Sequence, residues 1–219
     1  MTGRWLWCAA LLAAMLVGRP VQAADPQRLV NQAGAIVAEM RGDPRFTAAD
    51  LLARSKAVMI VPELKKGGML IGGQGGTGLL LVKQSNGGWS SPVFYSIGGA
   101  TLGLQVGFET AKMVLLVMSD GALQAWLRGE FKFGGQDGNV VFLDGSEGSA
   151  GKTSQGADVV AWAHGTGAYA GITVEGTDFS FDQSDNRSYY GRILGAQDII
   201  QGGAANPGAD TLRQALAAP

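Results

Sequence analysis

The chain has 219 residues, of which 46% are hydrophobic and 16% are charged, with 17 Lys+Arg against 18 Asp+Glu. That length and apolar content predict one folded globular domain with a sizeable core and exclude an intrinsically disordered chain. The slightly acidic balance argues against non-specific nucleic-acid binding, which needs a surplus of cations.

The first 23 residues have the pattern of a secretory signal peptide. Arg4 supplies the positive start, and an uncharged apolar run follows from Trp5 to Gly18. That run is shorter than the roughly 20 residues of a membrane span. Val21-Gln22-Ala23 then offers small residues to a signal peptidase, so we expect cleavage after Ala23 and an exported protein, either periplasmic or secreted. An uncleaved membrane anchor is the alternative.

Cleavage there would also remove Cys8, the single cysteine. The mature chain would then form no disulfide, although an export compartment permits them. Arg4 and Arg19 would be lost as well, so the 17 basic residues would fall to 15 against 18 acidic ones. The mature domain is therefore expected to be mildly acidic and to depend on its apolar core alone.

Helical periodicity opens the mature chain. Apolar residues recur at helical spacing between Asp25 and Met40, and Gly42-Asp43-Pro44 predicts the end of this helix. Thr47 is placed to cap a second helix over residues 48–55, with Asp50 completing a capping box.

From residue 56 onward the pattern is typical of strands. Short apolar runs alternate with turn residues and with many of the 35 glycines, which predicts tight turns and strands packed closely together. The predicted strands cover residues 57–61, 69–71, 79–82, 93–97, 101–108, 113–118, 130–133, 140–143, 159–164 and 168–175. Ser119-Asp120 is expected to cap a short helix over 122–127. Two further helices are predicted over 196–201 and 209–217.

This order of elements predicts the fold class. A helix, then many strands, then helices again indicate an α+β protein whose core is a curved antiparallel sheet or barrel. No composition shift marks a linker, so a single domain with N-terminal and C-terminal helices is expected.

The string Gly73-x-Gly75-x-x-Gly78 matches the dinucleotide-binding fingerprint. That chemistry needs a helix to begin at the third glycine, with its N-terminus facing the pyrophosphate. Residues 79–82 are Leu-Leu-Leu-Val, which predicts a strand, and no acidic residue lies about 20 positions on to bind the ribose. A glycine-rich hairpin is therefore favoured, and no cofactor is predicted.

A second glycine-rich stretch, from Gly145 to Thr153, is similar to a phosphate-binding loop. Ser146 stands where the first glycine belongs, and Glu147 would place negative charge inside the phosphate cradle. A surface loop is therefore favoured.

Reactive side chains are sparse. His164 is the only histidine, too few for a zinc site without cysteine, and no Gly-x-Ser-x-Gly occurs. An ordinary turn position before Gly165 is the favoured interpretation of His164. Asp178, Asp182 and Asp185 lack the glycine and the terminal glutamate of a helix-loop-helix calcium site, so a solvated acidic turn is favoured. No catalytic residue and no metal site are predicted.

Six segments, taken in order, carry a family resemblance. They are 55–62, the glycine-rich stretch 66–78, Gly88-Trp89-Ser90-x-Pro92, 103–109, the late hairpin 158–176 and Asn186-x-x-Tyr189-Tyr190-Gly191. No single segment is specific, but six in register over residues 28–201 are. The chain resembles the SYLF-domain family, also called the Ysc-type actin-binding domain.

The resemblance implies a SYLF-like domain over residues 24–219 that has no catalytic residues. Eukaryotic members of the family bind phosphoinositides and actin in membrane traffic, and bacterial members are small exported proteins. The resemblance therefore implies a lipid-binding, non-enzymatic protein of the bacterial envelope, whose partner is a membrane lipid or another envelope surface. A periplasmic structural or protein-interaction module without a lipid ligand is the alternative function.

Cations near the start of the domain are the candidate lipid-binding residues. They are Arg28, Arg41, Arg45, Lys56, Lys65 and Lys66. Lys65 and Lys66 lie beside glycines on a predicted turn, where ammonium groups could meet lipid phosphates. The competing interpretation is that the first helix packs its apolar stripe on the sheet and that these cations are merely solvated.

Overall fold

The computed structural model describes residues 25–131, 140–142, 156–166 and 177–218. Three predictions lie outside these residues: the signal peptide over 1–23, the loop from Gly145 to Thr153 and the strand over 168–175. In order along the chain, the described elements are α1 (Pro26–Gly42), α2 (Ala48–Arg54), β1 (Ala57–Val82), β2 (Val93–Val117), α3 (Asp120–Leu127), β3 (Val140–Phe142), β4 (Val159–Thr166), β5 (Thr177–Phe181), α4 (Gln183–Tyr190), α5 (Ala196–Ile200) and α6 (Asp210–Ala217). A short 3-10 turn, Pro207–Ala209, precedes α6.

The N-terminal helices follow the predicted pattern. Asp25 caps α1 by accepting the Gln27 N–H at 3.0 Å, and Pro26 occupies the first turn, where its missing N–H costs nothing. The helix ends at Gly42, as the Gly-Asp-Pro breaker predicts. Thr47 does stand at the N-cap of α2, but its side chain makes no capping hydrogen bond, so the predicted capping box is wrong.

Two long strands replace the series of short strands predicted over residues 57–118. β1 and β2 pair antiparallel along their whole length, from Ala57 opposite Val117 to Leu80 opposite Val93. The register shifts between Val61 and Leu64, and again between Gly68 and Leu70. Pro62, which lacks an N–H, lies within the first shift, where a strand tolerates the loss of a ladder bond. The glycine-rich stretch 72–78 is therefore part of strand β1, not the turn of the predicted glycine-rich hairpin.

β1 also folds back on itself. The Lys83 N–H, just past the end of β1, donates to the Lys56 carbonyl just before its start, at 2.8 Å. A Cβ at Gly78 would lie 2.7 Å from Met59 Sδ, and one at Gly76 would collide with the Glu63 carbonyl oxygen. The two halves of β1 therefore lie side by side. With each half of the two long strands counted separately, the described sheet has seven strands and curls as a half-barrel.

The paired strands β1 and β2, folded back on themselves, form a doubled ribbon. The remaining strands pair with this ribbon at both ends. β5 pairs with the first half of β2, from Tyr95 opposite Phe181, and β4 pairs with the second half, from Val117 opposite Val159. β3 pairs with β4 in parallel. The α+β prediction is confirmed, but the sheet is mixed rather than purely antiparallel. The connection from β3 to β4, residues 143–158, has the dozen or more residues that a parallel crossover needs.

Helices cover both faces of the sheet. Alternate residues of β1 belong to two apolar cores: Val58 and Ile60 face α1, α2 and α6, whereas Met59 and Val61 face α3 and α5. Burial on both faces explains why the strands are continuous apolar runs rather than alternating ones. Among the described residues, no helix combines the length and the apolar character needed to span a bilayer.

Candidate functional site

The structure disperses the six predicted lipid-binding cations. Arg28 and Arg41 lie on α1, Arg45 follows it, and Lys56 directly precedes β1. Lys65 and Lys66 lie within β1, not on the predicted turn, and nine residues of strand place Lys65 roughly 30 Å along β1 from Lys56. The six cations therefore do not form one patch.

Four of the six hold an intramolecular partner. Arg45 pairs with Asp43 at 2.9 Å, Lys56 with Asp120 at 3.3 Å, and Lys65 with Glu63 at 3.3 Å. Exposed pairs of this kind contribute little stability, but they neutralise the cation. Arg41 Nη2 donates to the carbonyls of Leu216 at 3.1 Å and Ala218 at 2.7 Å, at the carboxyl end of α6.

Three cations of the described part differ from the rest: Arg28, Lys66 and Arg187. Arg28 and Arg187 are exposed, Lys66 is half-buried, and the side chains of all three make no hydrogen bond or ion pair to any described residue. The other described lysines and arginines are held by carboxylates or backbone carbonyls: Arg41, Arg45, Arg54, Lys56, Lys65, Lys83, Lys112, Arg128, Arg192 and Arg213.

Arg187 belongs to α4, a helix that, like β5, the sequence interpretation missed. Asp182 caps α4 by accepting the Asp185 N–H at 2.9 Å, and Gly191 ends it in the left-handed conformation, with φ 69°. An aspartate and a glycine at that spacing are the start and stop signals of a helix, so this signal could have identified α4 where the three aspartates of 178–185 suggest an acidic turn.

Asn186 fixes α4 to the sheet. Its buried side chain accepts the Phe94 N–H at 3.1 Å and donates to the Phe94 carbonyl at 2.9 Å. It also donates to the Asp182 carbonyl at 2.7 Å. β5 ends at Phe181, and the Asp182 N–H still donates to the Phe94 carbonyl at 3.0 Å, so the Asn186 amide adds to the last contact between this end of β5 and β2. Tyr190 adds a second tie, from its hydroxyl to the Pro92 carbonyl at 2.5 Å.

The solvent side of α4 borders an open cavity of about 860 Å³. We call it the α4 groove and define it by its lining residues: Gln183, Ser184, Arg187, Ser188, Gly191 and Ile193. Ile193 is 64% exposed and is the only large hydrophobic residue classed as exposed in the described ranges. The groove thus combines a guanidinium, two hydroxyls, an amide and one apolar side chain.

A smaller cavity of about 230 Å³ lies where the carboxyl ends of α1, α2 and α6 meet. Lys83 Nζ donates there to the carbonyls of Leu52 at 2.8 Å and Ala53 at 2.7 Å, and it lies 5.4 Å from the centre of the Trp89 ring. Desolvation by burial lowers the pKa of Lys83. Because Lys83 and Arg41 both bind helix carbonyls, we assign this cavity a structural role.

His164 lies within β4, which continues to Thr166, so its predicted turn position is wrong. Its side chain is 55% exposed, and Nδ1 lies 3.6 Å from Glu39 Oε1. Lys112, opposite His164 in the ladder, binds the other Glu39 oxygen. In the described part of the chain, no group of three or more His, Cys, Asp or Glu side chains is arranged to hold a metal ion.

The predicted solvated acidic turn is also wrong. Asp178 lies in β5, Asp182 caps α4, and Asp185 is buried in the first turn of α4. Desolvation by burial, followed by repulsion from Asp182, raises the pKa of Asp185. The Asp185 carboxyl group is therefore an unfavourable charge at neutral pH.

Replacing Asp185 with asparagine should stabilise the protein at about pH 7. The pKa of Asp185 in the folded state is raised above the unfolded value of about 3.9. The protonated carboxyl group therefore contributes stability at pH values below about 3.9, and this stability is lost as the pH rises through the folded-state pKa. The midpoint of thermal unfolding should thus be higher for Asp185→Asn at neutral pH, and the gain should vanish near pH 3. Asp50→Asn, at an exposed position, is the control. A gain that is independent of pH would contradict this assignment.

The model of a protein family described as "Las17-binding protein actin regulator" (Ysc84) matches residues 98–219. SH3 domain-containing YSC84-like protein 1 of Rattus norvegicus is 28% identical over 174 residues, which cover 78% of this chain and 51% of that protein. LAS seventeen-binding protein 3 of Saccharomyces cerevisiae is 30% identical over 167 residues, which cover 74% of this chain and 36% of that protein. The chain thus spans about half the length of the first of these relatives, and less of the second. No solved structure matches it.

Proposed function

This chain belongs to the Ysc84 family, the SYLF-domain family of the sequence analysis, and from that membership we propose that it is a non-catalytic module that binds anionic lipid at the surface of the bacterial envelope. The observation that carries the proposal is the contrast among its cations. Arg28, Lys66 and Arg187 have no partner among the described residues, whereas the other described cations are held.

Individual cations, and not the net charge of the chain, are expected to attract this protein to an anionic lipid surface. The whole chain is slightly acidic, so its net charge does not draw it to an anionic surface. A single lysine or arginine near such a surface contributes about 1 kcal/mol, and the contribution falls off within a Debye length. Cations without an internal partner give up no ion pair when they meet a lipid phosphate. Lys66 is the weakest of the three, because its side chain is half-buried whereas Arg28 and Arg187 are exposed.

The experiment is vesicle co-sedimentation of a protein that begins at Ala24. The described members of both apolar cores all lie from residue 25 onward, so this protein keeps them. It is expected to bind phosphatidylglycerol vesicles at low ionic strength, to bind phosphatidylcholine vesicles weakly, and to dissociate as salt is added. Arg28→Gln with Lys66→Gln should lower the partition coefficient roughly tenfold to thirtyfold, at about 1 kcal/mol per cation.

The matched control is Arg54→Gln with Lys65→Gln, which removes the same charge from two exposed cations that already have partners. This control should bind almost as the parent does. Equal losses in both double variants would mean that overall charge, and not Arg28 and Lys66, governs binding. A parent protein that ignores phosphatidylglycerol vesicles at low salt would end the lipid proposal.

A protein partner is the second candidate. The family description and the name of the yeast relative both specify binding to a protein, so a polypeptide ligand is a reasonable expectation for this member too. A pull-down from envelope extract with the same Ala24 protein distinguishes the two candidates. A stable partner retained after detergent washing, together with no binding to vesicles, would favour the protein-interaction module.

The absence of a catalytic role is part of the proposal. Its support is the setting of His164, which is more than half exposed and has one carboxylate beside it rather than an enclosed reactive cluster. The location also stays a prediction: cleavage after Ala23 would export the protein, and the envelope is the lipid surface it would then meet.

A further inference from the structure

We propose that the α4 groove is the site where a phospholipid headgroup is held, with Ile193 entering the boundary of the acyl chains. This inference rests on the lipid-binding function proposed above, and it names residues that the sequence interpretation did not select. It commits to a lipid in a bilayer as the occupant.

The lining of the α4 groove suits a phosphorylated, hydroxylated headgroup. Arg187 is exposed and its guanidinium has no described partner, so its planar fork is available to bind a phosphate with two parallel hydrogen bonds. Gln183 precedes Arg187 by four residues, and Ser184 precedes Ser188 by four, which places each pair on one face of α4. The hydroxyls and the amide can donate to and accept from the hydroxyls of a glycerol headgroup.

The two carboxylates nearest to Arg187 in the sequence lie outside the described lining of the α4 groove. Asp182 accepts hydrogen bonds from Ser96 Oγ at 2.5 Å and from the Asp185 N–H, and so is engaged by β2 and its own helix. Asp185 is buried, and its raised pKa reflects that burial. Neither residue is among the described residues that line the α4 groove, and Arg187 is the only ionisable side chain among those.

Helix α4, which provides most of the groove lining, is anchored to the sheet. Asn186 and Tyr190 tie the opposite side of α4 to the Phe94 backbone and to the Pro92 carbonyl. Arg192, on the segment that follows, donates to the Gly203 carbonyl. A site on anchored elements loses little conformational freedom when a ligand binds, so more of its interaction energy contributes to affinity.

The exposed side chain of Ile193 favours a phospholipid in a bilayer over a free phosphate as the ligand of the α4 groove. A single exposed isoleucine is ordinary on a protein surface, but this one borders the same groove as an arginine with no described partner. An exposed apolar side chain beside a phosphate-binding cation matches the layering of a bilayer, where headgroup phosphates lie directly above acyl chains. A soluble phosphate would gain nothing from it.

The test uses the Ala24 protein and vesicles of phosphatidylglycerol in phosphatidylcholine. Arg187→Gln should lower the partition coefficient about fivefold. Ile193→Ser should lower it by a similar factor without changing the salt dependence, because the lost contact is apolar. Ile193→Leu should restore binding. Arg54→Gln removes an equal charge at a paired, exposed position and should bind as the parent does.

A second measurement reports insertion directly. A protein that begins at Ala24 has no cysteine, so Ile193→Cys can carry a single environment-sensitive fluorophore, whose emission should shift to the blue on phosphatidylglycerol vesicles. Parent binding with unchanged affinity for Arg187→Gln and Ile193→Ser would overturn the groove assignment and leave the lipid function standing. Failure of the parent to bind would remove both. Displacement by soluble glycerol phosphate, with no emission shift, would assign the groove to a free phosphate ester and overturn the membrane proposal.

Discussion

Replacing Gly76 with alanine is expected to destabilise the protein by about 3 kcal/mol or more. Gly76 lies where the second half of β1 passes the first, and a Cβ at this position would collide with the Glu63 carbonyl oxygen and lie 3.5 Å from Leu64 Cα. The obstacle is backbone, which cannot rotate away as a side chain does. The two halves of β1 must therefore separate, and the sheet loses part of its pairing. Urea denaturation, followed by circular dichroism, measures the loss.

Gly98→Ala is the matched control for this prediction. Gly98 lies in β2, and apart from Gly98 itself and its two chain neighbours, no atom of a described residue lies within 4 Å of the position a Cβ would take there. Alanine at this position should change the free energy of unfolding by less than about 1 kcal/mol, and restriction of the unfolded chain favours a slight gain. Equal losses for Gly76→Ala and Gly98→Ala would mean that strand propensity, and not the contact between the halves of β1, determines the effect.

Asn186→Ala is expected to cost about 2–4 kcal/mol, because the substitution leaves the buried Phe94 N–H without an acceptor and removes one of the two donors to the Phe94 carbonyl. The Phe94 N–H loses its acceptor, and the Phe94 carbonyl keeps only the Asp182 N–H at 3.0 Å. Alanine cannot replace an amide that donates and accepts at once. Thermal and urea unfolding should both show the loss, and hydrogen exchange at Phe94 should accelerate.

Asn31→Ala tests whether the effect is specific to this position. Asn31 is an exposed helical asparagine whose one side-chain hydrogen bond accepts from Gln27 at 2.9 Å. Its replacement should shift the free energy of unfolding by no more than about 0.5 kcal/mol. If Asn186→Ala were equally mild, α4 would be held chiefly by Tyr189 and Tyr190, and the amide would not be the anchor of the α4 groove.

The helices show what local sequence can predict. Asp25, Pro26 and the Gly-Asp-Pro breaker define α1, and Ser119 caps α3 by accepting the Ala122 N–H, as expected. Each of these signals acts within a few residues. The predicted strand boundaries are wrong because β1 and β2 continue through glycines, and β1 through Pro62, where a local pattern predicts a break. Pairing with β2 over a long distance outweighs those local preferences, and the glycines instead allow two parts of β1 to lie close together.

The candidate site depended even more on tertiary structure. The sequence identifies every lysine and arginine, but only coordinates separate Lys56, held by Asp120 from a distant helix, from Arg28, which has no described partner. The sequence does not predict the α4 groove because it does not predict α4, the helix that carries most of the lining residues. Asp182 and Asp185 differ only through burial and capping, which an acidic cluster in a sequence does not reveal.

The doubled ribbon of β1 and β2 restricts the order in which the chain can fold. Leu80 and Val93 pair across a separation of 13 positions, whereas Ala57 and Val117 pair across 60. Loop-closure entropy favours the near pair first, so the ribbon should zip outward from the turn at Ser85–Gly88. The contact between Lys56 and Lys83 can form only after β1 and β2 have paired beyond the point where β1 folds back on itself. Because that contact forms late, a partly paired intermediate exists in which the outer edges of both strands have unpaired backbone groups. This intermediate is the species most prone to aggregation.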